Sequence, residues 1–185
     1  MIERGINSPR TSSMGRLFDA AAAILGICGQ ATYEGEPAIE LEAAAWRALG
    51  SESTCPTGNM ASFFATESSR PDDCHVLNSR PLFEALLEGI RTGVPAGKLA
   101  LDFHVTIARA SARIASEICV REGIDTVVLS GGVFMNQLLL QFLTRELKSA
   151  GLTVLVPHTA PVNDGCIAYG QAAIARARLA QTASR

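Results

Sequence analysis

The last third of the sequence has two short strand-forming runs separated by a helical stretch, and this order limits the possible folds. The runs cover residues 126–129 and 153–156, and both are rich in β-branched and apolar side chains. Between them, residues 135–150 place apolar side chains three or four positions apart, as in an amphipathic helix. A strand, a helix and a strand in this order predict a parallel β-α-β unit, which is right-handed in nearly all proteins. The sequence therefore predicts an α/β fold.

Helices predominate ahead of this unit. Apolar residues at helical spacing predict four of them, at residues 16–28, 37–49, 81–93 and 97–122. The pattern between residues 51 and 79 is weaker, and Phe63, Phe64 and residues 75–77 are candidates for short strands around a polar turn at 68–73. A final helix is predicted at about 164–178, capped by Asn163 or Asp164. We expect one partial domain over residues 1–185, with a helical part at about 12–122 and a β-α-β-α part at about 125–180.

Composition narrows the class of partner. The chain has 185 residues, of which 48% are apolar, enough for one well-buried domain or one lobe of a larger one. Its formal net charge is -2 with no basic run, which gives no reason to expect binding to nucleic acid or to a membrane. There is no basic-plus-apolar leader, and no apolar run approaches the roughly 18 residues that cross a bilayer. We expect small-molecule or protein partners.

The cysteines favour a reducing compartment. There are five of them, at Cys28, Cys55, Cys74, Cys119 and Cys166. Their odd number, their wide separation and the lack of a C-x-x-C pair argue against a disulfide framework and against a structural zinc site. The sequence therefore predicts a cytoplasmic protein.

Two loops follow the predicted strands, and both carry residues with functional potential. Ser130-Gly131-Gly132 follows the first strand, and residues 161–165 follow the second. Because ligands bind beyond the carboxyl ends of parallel strands, we expect these loops to be neighbours at a binding edge. The glycines have two interpretations, an ordinary tight turn or an edge at which a ligand approaches backbone N–H groups. Neither a Walker loop nor a G-x-G-x-x-G pattern is present to decide between them.

The sequence Asn163-Asp164-Gly165 also has two interpretations. Asn and Asp directly before an apolar helix are typical N-caps. Alternatively, the Asp164 carboxylate binds a hard cation or the hydroxyl groups of a ligand, as an oxygen donor at a strand end can. The two roles are compatible with each other.

Four segments resemble the carboxyl-terminal part of the hydrogenase maturation carbamoyltransferase family, HypF. Their most specific pieces are TSSMGRLFDA at 11–20, YEGEPAIELE at 33–42, LSGGVFMN at 129–136 and PVNDGCIAYGQ at 161–171. The resemblance covers nearly the whole chain, and the pieces occur in the family's order. It implies a helix-rich lobe of a ribonuclease-H-like domain of the actin, sugar kinase and Hsp70 superfamily, similar to the tRNA threonylcarbamoyl transferase. Such a domain holds its nucleotide between two lobes.

The resemblance also implies an activity. Members of the family make carbamoyl-adenylate from carbamoyl phosphate and ATP, and then carbamoylate the C-terminal cysteine of HypE. This reaction leads to the cyanide ligands of nickel-iron hydrogenase. A HypE-like protein, ATP or carbamoyl-adenylate, and a divalent metal are thus the partners and cofactors that the resemblance implies.

Six residues match positions to which the family gives a role. Gly15 and Asp19 resemble the pair that contacts the ribose, although without the resemblance Asp19 would be interpreted as a solvated helix residue. Three further residues resemble the edge that holds the adenine and the nucleotide backbone, and they are Gly131, Gly132 and Asn136. Asp164 resembles the carboxylate that completes the metal site.

Other positions depart from the family. Its metal site also uses two histidines from a His-rich segment upstream of the matched part, and His75, His104 and His158 do not lie in such a segment. We expect His104 to be a surface or capping group, and His158 has no counterpart that we can match. Cys166 replaces an expected glycine, and a small buried apolar residue is its expected role in preference to a catalytic thiol.

These departures predict that the chain alone does not transfer carbamoyl groups. We expect it to be a segment of a larger enzyme, a natural truncated relative, or a half that needs a first lobe or a second chain. The alternative is a non-catalytic module that binds a nucleotide, docks a maturation partner or self-associates through apolar surface left exposed.

Overall fold

The computed structural model describes residues 4–6, 8–51, 66–68 and 75–183. Within these residues there are six α-helices and four β-strands. The helices are α1 (Met14–Ile24), α2 (Glu36–Ser51), α3 (Arg80–Arg91), α4 (Ala96–Glu122), α5 (Gln137–Ser149) and α6 (Ile167–Ala183). The strands are β1 (Thr66–Ser68), β2 (His75–Leu77), β3 (Thr126–Val128) and β4 (Thr153–Leu155). All the predicted helices are present with small shifts at their ends, and contacts group the chain into two units, Met1–Ala110 and Ser111–Arg185.

The first unit is built on the packing of α1 against α2 and α3. At its centre, the rings of Phe18 from α1 and Phe103 from α4 meet edge to face, with centroids 5.0 Å apart. Such aromatic pairs add to the stabilisation that burial of their apolar surface supplies. The remaining fully buried large apolar side chains described in this unit are Leu41, Leu82, Leu86, Leu101, Val105 and Ile107.

Glycines set the distances between helices in this unit. A Cβ at Gly97 would lie 3.1 Å from the carbonyl oxygen of Ala44, so α4 can approach α2 only because residue 97 has no side chain. In the same way, a Cβ at Gly89 of α3 would collide with the side chain of Leu99 in α4. The sequence analysis did not single out these two glycines.

The strands β1 and β2 form an antiparallel pair, with Glu67 opposite Val76. Residues 75–77 were predicted as a strand, and this prediction is confirmed. The candidate strand residues Phe63 and Phe64, and most of the predicted polar turn, lie outside the described residues.

In the second unit, β3 and β4 pair in parallel with Val127 opposite Val154, which confirms the predicted β-α-β unit. The Leu129 N–H donates to the Leu155 carbonyl at 2.9 Å, and the Thr153 N–H donates to the Asp125 carbonyl at 2.8 Å. Helix α5 packs on β4. Its buried apolar side chains are Leu138, Leu139, Phe142, Leu143 and Leu147.

The start of α5 differs from the prediction. Periodicity suggested a helix from Met135, whereas Gly132–Met135 forms a short 3₁₀ helix and α5 begins at Gln137. Asn136 separates the two because its backbone is extended, with φ -69° and ψ 104°, and its side chain caps α5. In the part of the chain that the structure describes, no helix is long and apolar enough to cross a membrane.

Candidate functional site

The two loops that follow β3 and β4 are hydrogen-bonded to each other. The Gly131 N–H donates to the Val162 carbonyl oxygen at 2.8 Å. This contact confirms that the two loops are neighbours at the carboxyl edge of the sheet, where α/β proteins bind ligands. The candidate residues of the second unit, at 131–136 and 161–165, therefore belong to one place.

The two glycines of the first loop differ in what they provide. Gly131 has φ 114° and ψ 155°, a conformation that is essentially confined to glycine, so the turn itself requires it. Gly132 has no such restraint, and a Cβ added there would meet no atom within 4 Å in the described part of the chain. The turn interpretation therefore accounts for Gly131 alone. The surface at Gly132 is open to an approaching ligand.

Asn136 is buried and has a structural role. Its Oδ1 accepts a hydrogen bond from the Leu139 N–H at 2.8 Å, which satisfies one of the backbone donors at the start of α5. The cap accounts for an oxygen-bearing side chain at this position. Any contact of Asn136 with a nucleotide would come in addition to the cap.

The second loop contains a cap and an exposed carboxylate. The cap is Asn163, whose Oδ1 accepts from the Gly165 N–H at 3.1 Å at the start of a 3₁₀ helix, Asp164–Cys166, that leads into α6. Asp164 is exposed, and within the described residues its carboxylate has no hydrogen bond or ion pair. Of the two residues predicted as caps, Asn163 is therefore the one that caps, and Asp164 is available to a ligand.

Sequence reasoning missed a contact between the two loops. The Nδ2 of Asn163 lies 3.4 Å from the Met135 sulfur and donates to it. Met135 ends the 3₁₀ helix after β3 and is 59% exposed. Nothing in the sequence indicates this contact, because a methionine before Asn136 does not identify a partner 28 residues away.

The predicted ribose pair lies in the first unit, at the start of α1. Asp19 is partly buried, and its Oδ2 forms an ion pair with the Arg16 guanidinium at 3.0 Å. Asp19 is therefore not simply a solvated helix residue. A Cβ at Gly15 would make only an ordinary contact of 3.6 Å with Ser13 Oγ, so packing does not require glycine at this position.

The prediction that His104 is a surface or capping group is wrong. The side chain is fully buried, and its ring lies edge-on to the Phe18 ring with centroids 5.2 Å apart. Its Nδ1 lies 2.7 Å from the Ala100 carbonyl, which can only accept, so Nδ1 carries the proton. Burial lowers the pKa of His104 to about 4, although the bond to Ala100 acts in the opposite direction.

The remaining unmatched residues have less defined positions. His158 is exposed and lies beside Thr144 and Lys148 along a surface groove. Cys166 is a free thiol, but it is half-buried at the end of the 3₁₀ helix and not fully buried as expected. His75 lies on β2, and the structure does not describe its side chain.

The described residues do not fit a metal ion without further donors. Among them, no three His, Cys, Asp or Glu side chains come together. Asp164 is a suitable oxygen donor for a hard cation, but a metal ion bound in a protein needs several ligands. Any metal that Asp164 binds must therefore take its other ligands from elsewhere.

Comparisons with known proteins agree with the resemblance in the sequence. A family described as "Carbamoyltransferase, Kae1-like Domain, second subdomain" matches residues 1–171. The chain is 35% identical to carbamoyltransferase HypF2 of Cupriavidus necator, over 96% of this chain and 23% of the relative. It is 39% identical to carbamoyltransferase HypF of Rhizobium leguminosarum, over 95% of this chain and 21% of the relative. A tRNA N6-adenosine threonylcarbamoyltransferase of Acaryochloris marina is 28% identical over 83% of this chain and 41% of its own.

Solved structures are also similar. Full-length HypF in the phosphate- and nucleotide-bound form superposes with a TM-score of 0.80 at 32% identity, over 96% of this chain and 22% of that one. HypF of T. kodakarensis gives a TM-score of 0.74 at 28% identity, over 96% of this chain and 21% of that one.

The fold and these similarities define the class of protein. The chain is a helix-rich α/β lobe of the ribonuclease-H-like type found in the actin, sugar kinase and Hsp70 superfamily. It belongs to the HypF carbamoyltransferase family. The chain spans only 21–23% of the length of the two HypF relatives described above.

Proposed function

We propose that this chain is the carboxyl-terminal lobe of a carbamoyltransferase. In this proposal, the complete enzyme forms carbamoyl-adenylate from carbamoyl phosphate and ATP and carbamoylates the C-terminal cysteine of a HypE-like protein during nickel-iron hydrogenase maturation. The observation that carries the proposal is the pair of hydrogen-bonded loops at the carboxyl edge of β3 and β4, in a chain that belongs to the family. One structural relative is a HypF in a phosphate- and nucleotide-bound form.

The second unit contributes two kinds of contact to the proposed site. Since residue 132 is a glycine with open space around it, an adenine or ribose can approach the backbone there without meeting a Cβ. Asp164 offers a carboxylate with no partner in the described part of the chain. This carboxylate can accept hydrogen bonds from hydroxyl groups, or it can serve as one ligand of a divalent cation. Asn136 caps the start of α5 through its Oδ1, and its carboxamide is proposed to contact the nucleotide as well.

Asp19 and Gly15 are proposed to contact a ribose. The Arg16 guanidinium occupies Oδ2 of Asp19, which leaves Oδ1 to accept a hydrogen bond from a sugar hydroxyl. A Cβ at Gly15 would meet only Ser13 Oγ, at 3.6 Å, so the backbone of Gly15 is proposed as the surface that the ribose approaches.

We also propose that the chain has no carbamoyltransferase activity on its own. A family metal site needs several donors, and the described residues bring no three of them together. The chain also spans about a fifth of its HypF relatives, so a first lobe or a second chain is proposed to complete the site. A cytoplasmic location is proposed from the unpaired thiols of Cys28, Cys119 and Cys166, which suit a reducing compartment.

Nucleotide titration tests the proposal. AMP and ATP are titrated calorimetrically into the 185-residue chain, with and without a divalent metal, and into two variants. Asp164→Ala removes the carboxylate, and Asn136→Ser removes the carboxamide while keeping an oxygen that can cap α5. Both are expected to weaken binding by about tenfold, the order of a lost hydrogen bond to a charged or polar group. Leu179→Ala, an exposed residue of α6, is the control and should bind as the wild type does.

The assignment fails if both variants bind AMP as tightly as the wild type. It also fails if the wild-type chain binds neither nucleotide at millimolar concentration.

A second function, a non-catalytic docking module, is favoured by apolar surface in the second unit. Val120, Ile124 and Tyr169 are large side chains that are each exposed. Self-association or binding to a HypE-like C-terminal tail would bury them. Analytical ultracentrifugation that shows a monomer, together with no affinity for such a tail peptide, would count against this function.

A further inference from the structure

Asn163 uses both ends of its carboxamide at the carboxyl edge of the sheet. Its Oδ1 accepts from the Gly165 N–H at 3.1 Å, and its Nδ2 donates to the Met135 sulfur at 3.4 Å. The two partners are in different loops, since Met135 follows β3 and Gly165 follows β4. One side chain therefore connects the loop of the two glycines to the loop of Asp164.

The position of the Asp164 side chain depends on this connection. Its carboxylate is exposed and has no hydrogen-bond or ion-pair partner among the described residues, so its location is set by the backbone that carries it. That backbone is held on its amino-terminal side by the bond between Gly131 and Val162, and on its carboxyl-terminal side by the bond from the Gly165 N–H to Asn163 Oδ1. Loosening either contact would displace the carboxylate from a bound ligand.

The fit of Asn163 against Gly165 is tight. A Cβ at residue 165 would lie 3.2 Å from Asn163 Oδ1, which is closer than ordinary van der Waals contact, and 3.7 Å from Pro161 Cγ. A side chain at residue 165 would therefore crowd the carboxamide oxygen of Asn163, and the glycine avoids this contact.

We propose that Asn163 is a positioning residue that fixes the Asp164 carboxylate relative to the turn at Gly131 and Gly132. The two loops can then contact the same nucleotide. This inference rests on the nucleotide-binding role proposed above, and it does not require Asn163 to touch the ligand. A thioether is a weak acceptor, so the cap at Gly165 contributes most to local stability, whereas the contact with Met135 joins the loops.

Two variants break the contact between the loops from opposite sides. Asn163→Ser keeps an oxygen that can cap the 3₁₀ helix but removes the Nδ2 donor. Met135→Leu keeps an apolar side chain of similar volume but removes the sulfur. The readout is the calorimetric affinity of the 185-residue chain for AMP, with Leu179→Ala as the control for loss of an exposed apolar side chain.

The expected result is a coupled loss of affinity. Each variant should weaken AMP binding by about three- to tenfold. The double variant should bind AMP no less tightly than the single variant with the larger loss, because both substitutions remove the same contact. In an Asp164→Ala background, neither substitution should weaken AMP binding further, since Asn163 is proposed to act through Asp164. A residue with only a structural role would show the same loss in both backgrounds.

Other outcomes overturn the inference. If Asn163→Ser binds AMP as the wild type does, or if the losses add up in the double variant, Asn163 does not position Asp164. A wild-type chain that binds no AMP would overturn the proposed nucleotide site, and this inference with it. If the wild type binds AMP and both variants bind it equally well, this inference fails but the proposed nucleotide site does not.

Nuclear magnetic resonance tests the contact without any ligand. The side-chain amide resonances of Asn163 should shift in Met135→Leu and stay unchanged in Leu179→Ala. Unchanged Asn163 resonances in Met135→Leu would show that the contact between the loops is not formed in solution.

Discussion

His104 in the first unit and Asn163 in the second have polar side chains that form hydrogen bonds, but in opposite settings. His104 is fully buried and bonds to Ala100, four residues earlier in its own helix. Asn163 lies at the surface edge of a sheet and bonds to Met135, 28 residues earlier. The first arrangement stabilises a core, whereas the second joins two loops that a backbone hydrogen bond also connects. The comparison predicts that changes in the first unit alter stability, and that changes at the loops alter ligand binding and local structure.

The largest expected effect comes from adjacent residues of α3. Leu86 is 0% exposed and Leu87 is 54% exposed, although they occupy the same helix and lose the same atoms on replacement by alanine. Leu86→Ala should cost about 2–5 kcal/mol of unfolding free energy, because it removes buried surface and leaves a cavity. Leu87→Ala should change that free energy by less than about 0.5 kcal/mol. Urea unfolding measures both, and equal losses would contradict the described burial.

His104 should make stability depend on pH. Because burial lowers the pKa of His104 from 6.5 to about 4, the unfolded chain takes up a proton below about pH 6.5 and the folded chain does not until about pH 4. Stability should therefore fall by about 3 kcal/mol as pH decreases through this window, and this contribution should be constant above it.

The matched variant is His104→Gln, which can still donate to the Ala100 carbonyl but does not titrate. Its unfolding free energy, measured by urea from pH 4 to 8, should lack the part of the pH dependence that His104 causes. If the unfolding free energies of the wild type and the variant change equally with pH below pH 6.5, then His104 is not a buried neutral imidazole.

At the loops, the two glycines of the turn should respond differently. Gly131→Ala places a side chain at φ 114°, and the strain should cost about 1–3 kcal/mol and weaken the bond to Val162. Gly132→Ala meets open space and no positive φ, so it should cost less than about 0.5 kcal/mol. If the site is correct, Gly132→Ala nevertheless weakens AMP binding, because its Cβ occupies the surface at which the nucleotide approaches. Unfolding of the two variants measures the effect on the turn, and AMP titration of the same variants measures the effect on ligand binding.

The smallest effect is expected at the ion pair of α1, in which Arg16 is exposed and Asp19 is partly buried. Arg16→Ala removes the partner of Asp19, whose Oδ2 lies 3.0 Å from the guanidinium. Exposed pairs contribute at most about 1 kcal/mol, and a cation in the first turn of a helix opposes the helix dipole, so the net change in stability should be near zero. A loss in thermal unfolding of more than about 1 kcal/mol would show that the pair has a structural role that its exposure does not suggest.

Much of the fold followed from local patterns. Helical periodicity predicted α1 to α4, and the rule that strands joined by a helix are parallel predicted the pairing of β3 with β4. The same rule placed the loops of Gly131 and Asp164 beside each other, because the carboxyl ends of parallel strands share an edge. These features depend on residues that are close in sequence or on general topology.

The rest depended on contacts that a sequence does not show. The setting of His104 was predicted wrongly because α4 is buried on nearly all sides from Leu99 to Ala108. The face of α4 opposite its apolar stripe is therefore covered as well. Asn136 ends the helical pattern through its own cap, which periodicity did not detect. The contact of Asn163 with Met135 joins residues far apart in sequence, and no local pattern reveals such a pair.

This chain is proposed to supply one part of a nucleotide site and to need further protein for carbamoyl transfer. Turnover by the isolated 185-residue chain, supplied with carbamoyl phosphate, ATP and a divalent metal, tests this claim most directly. ATP hydrolysis and carbamoyl-adenylate formation should be no higher than in the absence of protein. Robust turnover that Asp164→Ala abolishes would overturn the proposal, since the 185-residue chain would then contain a complete catalytic site.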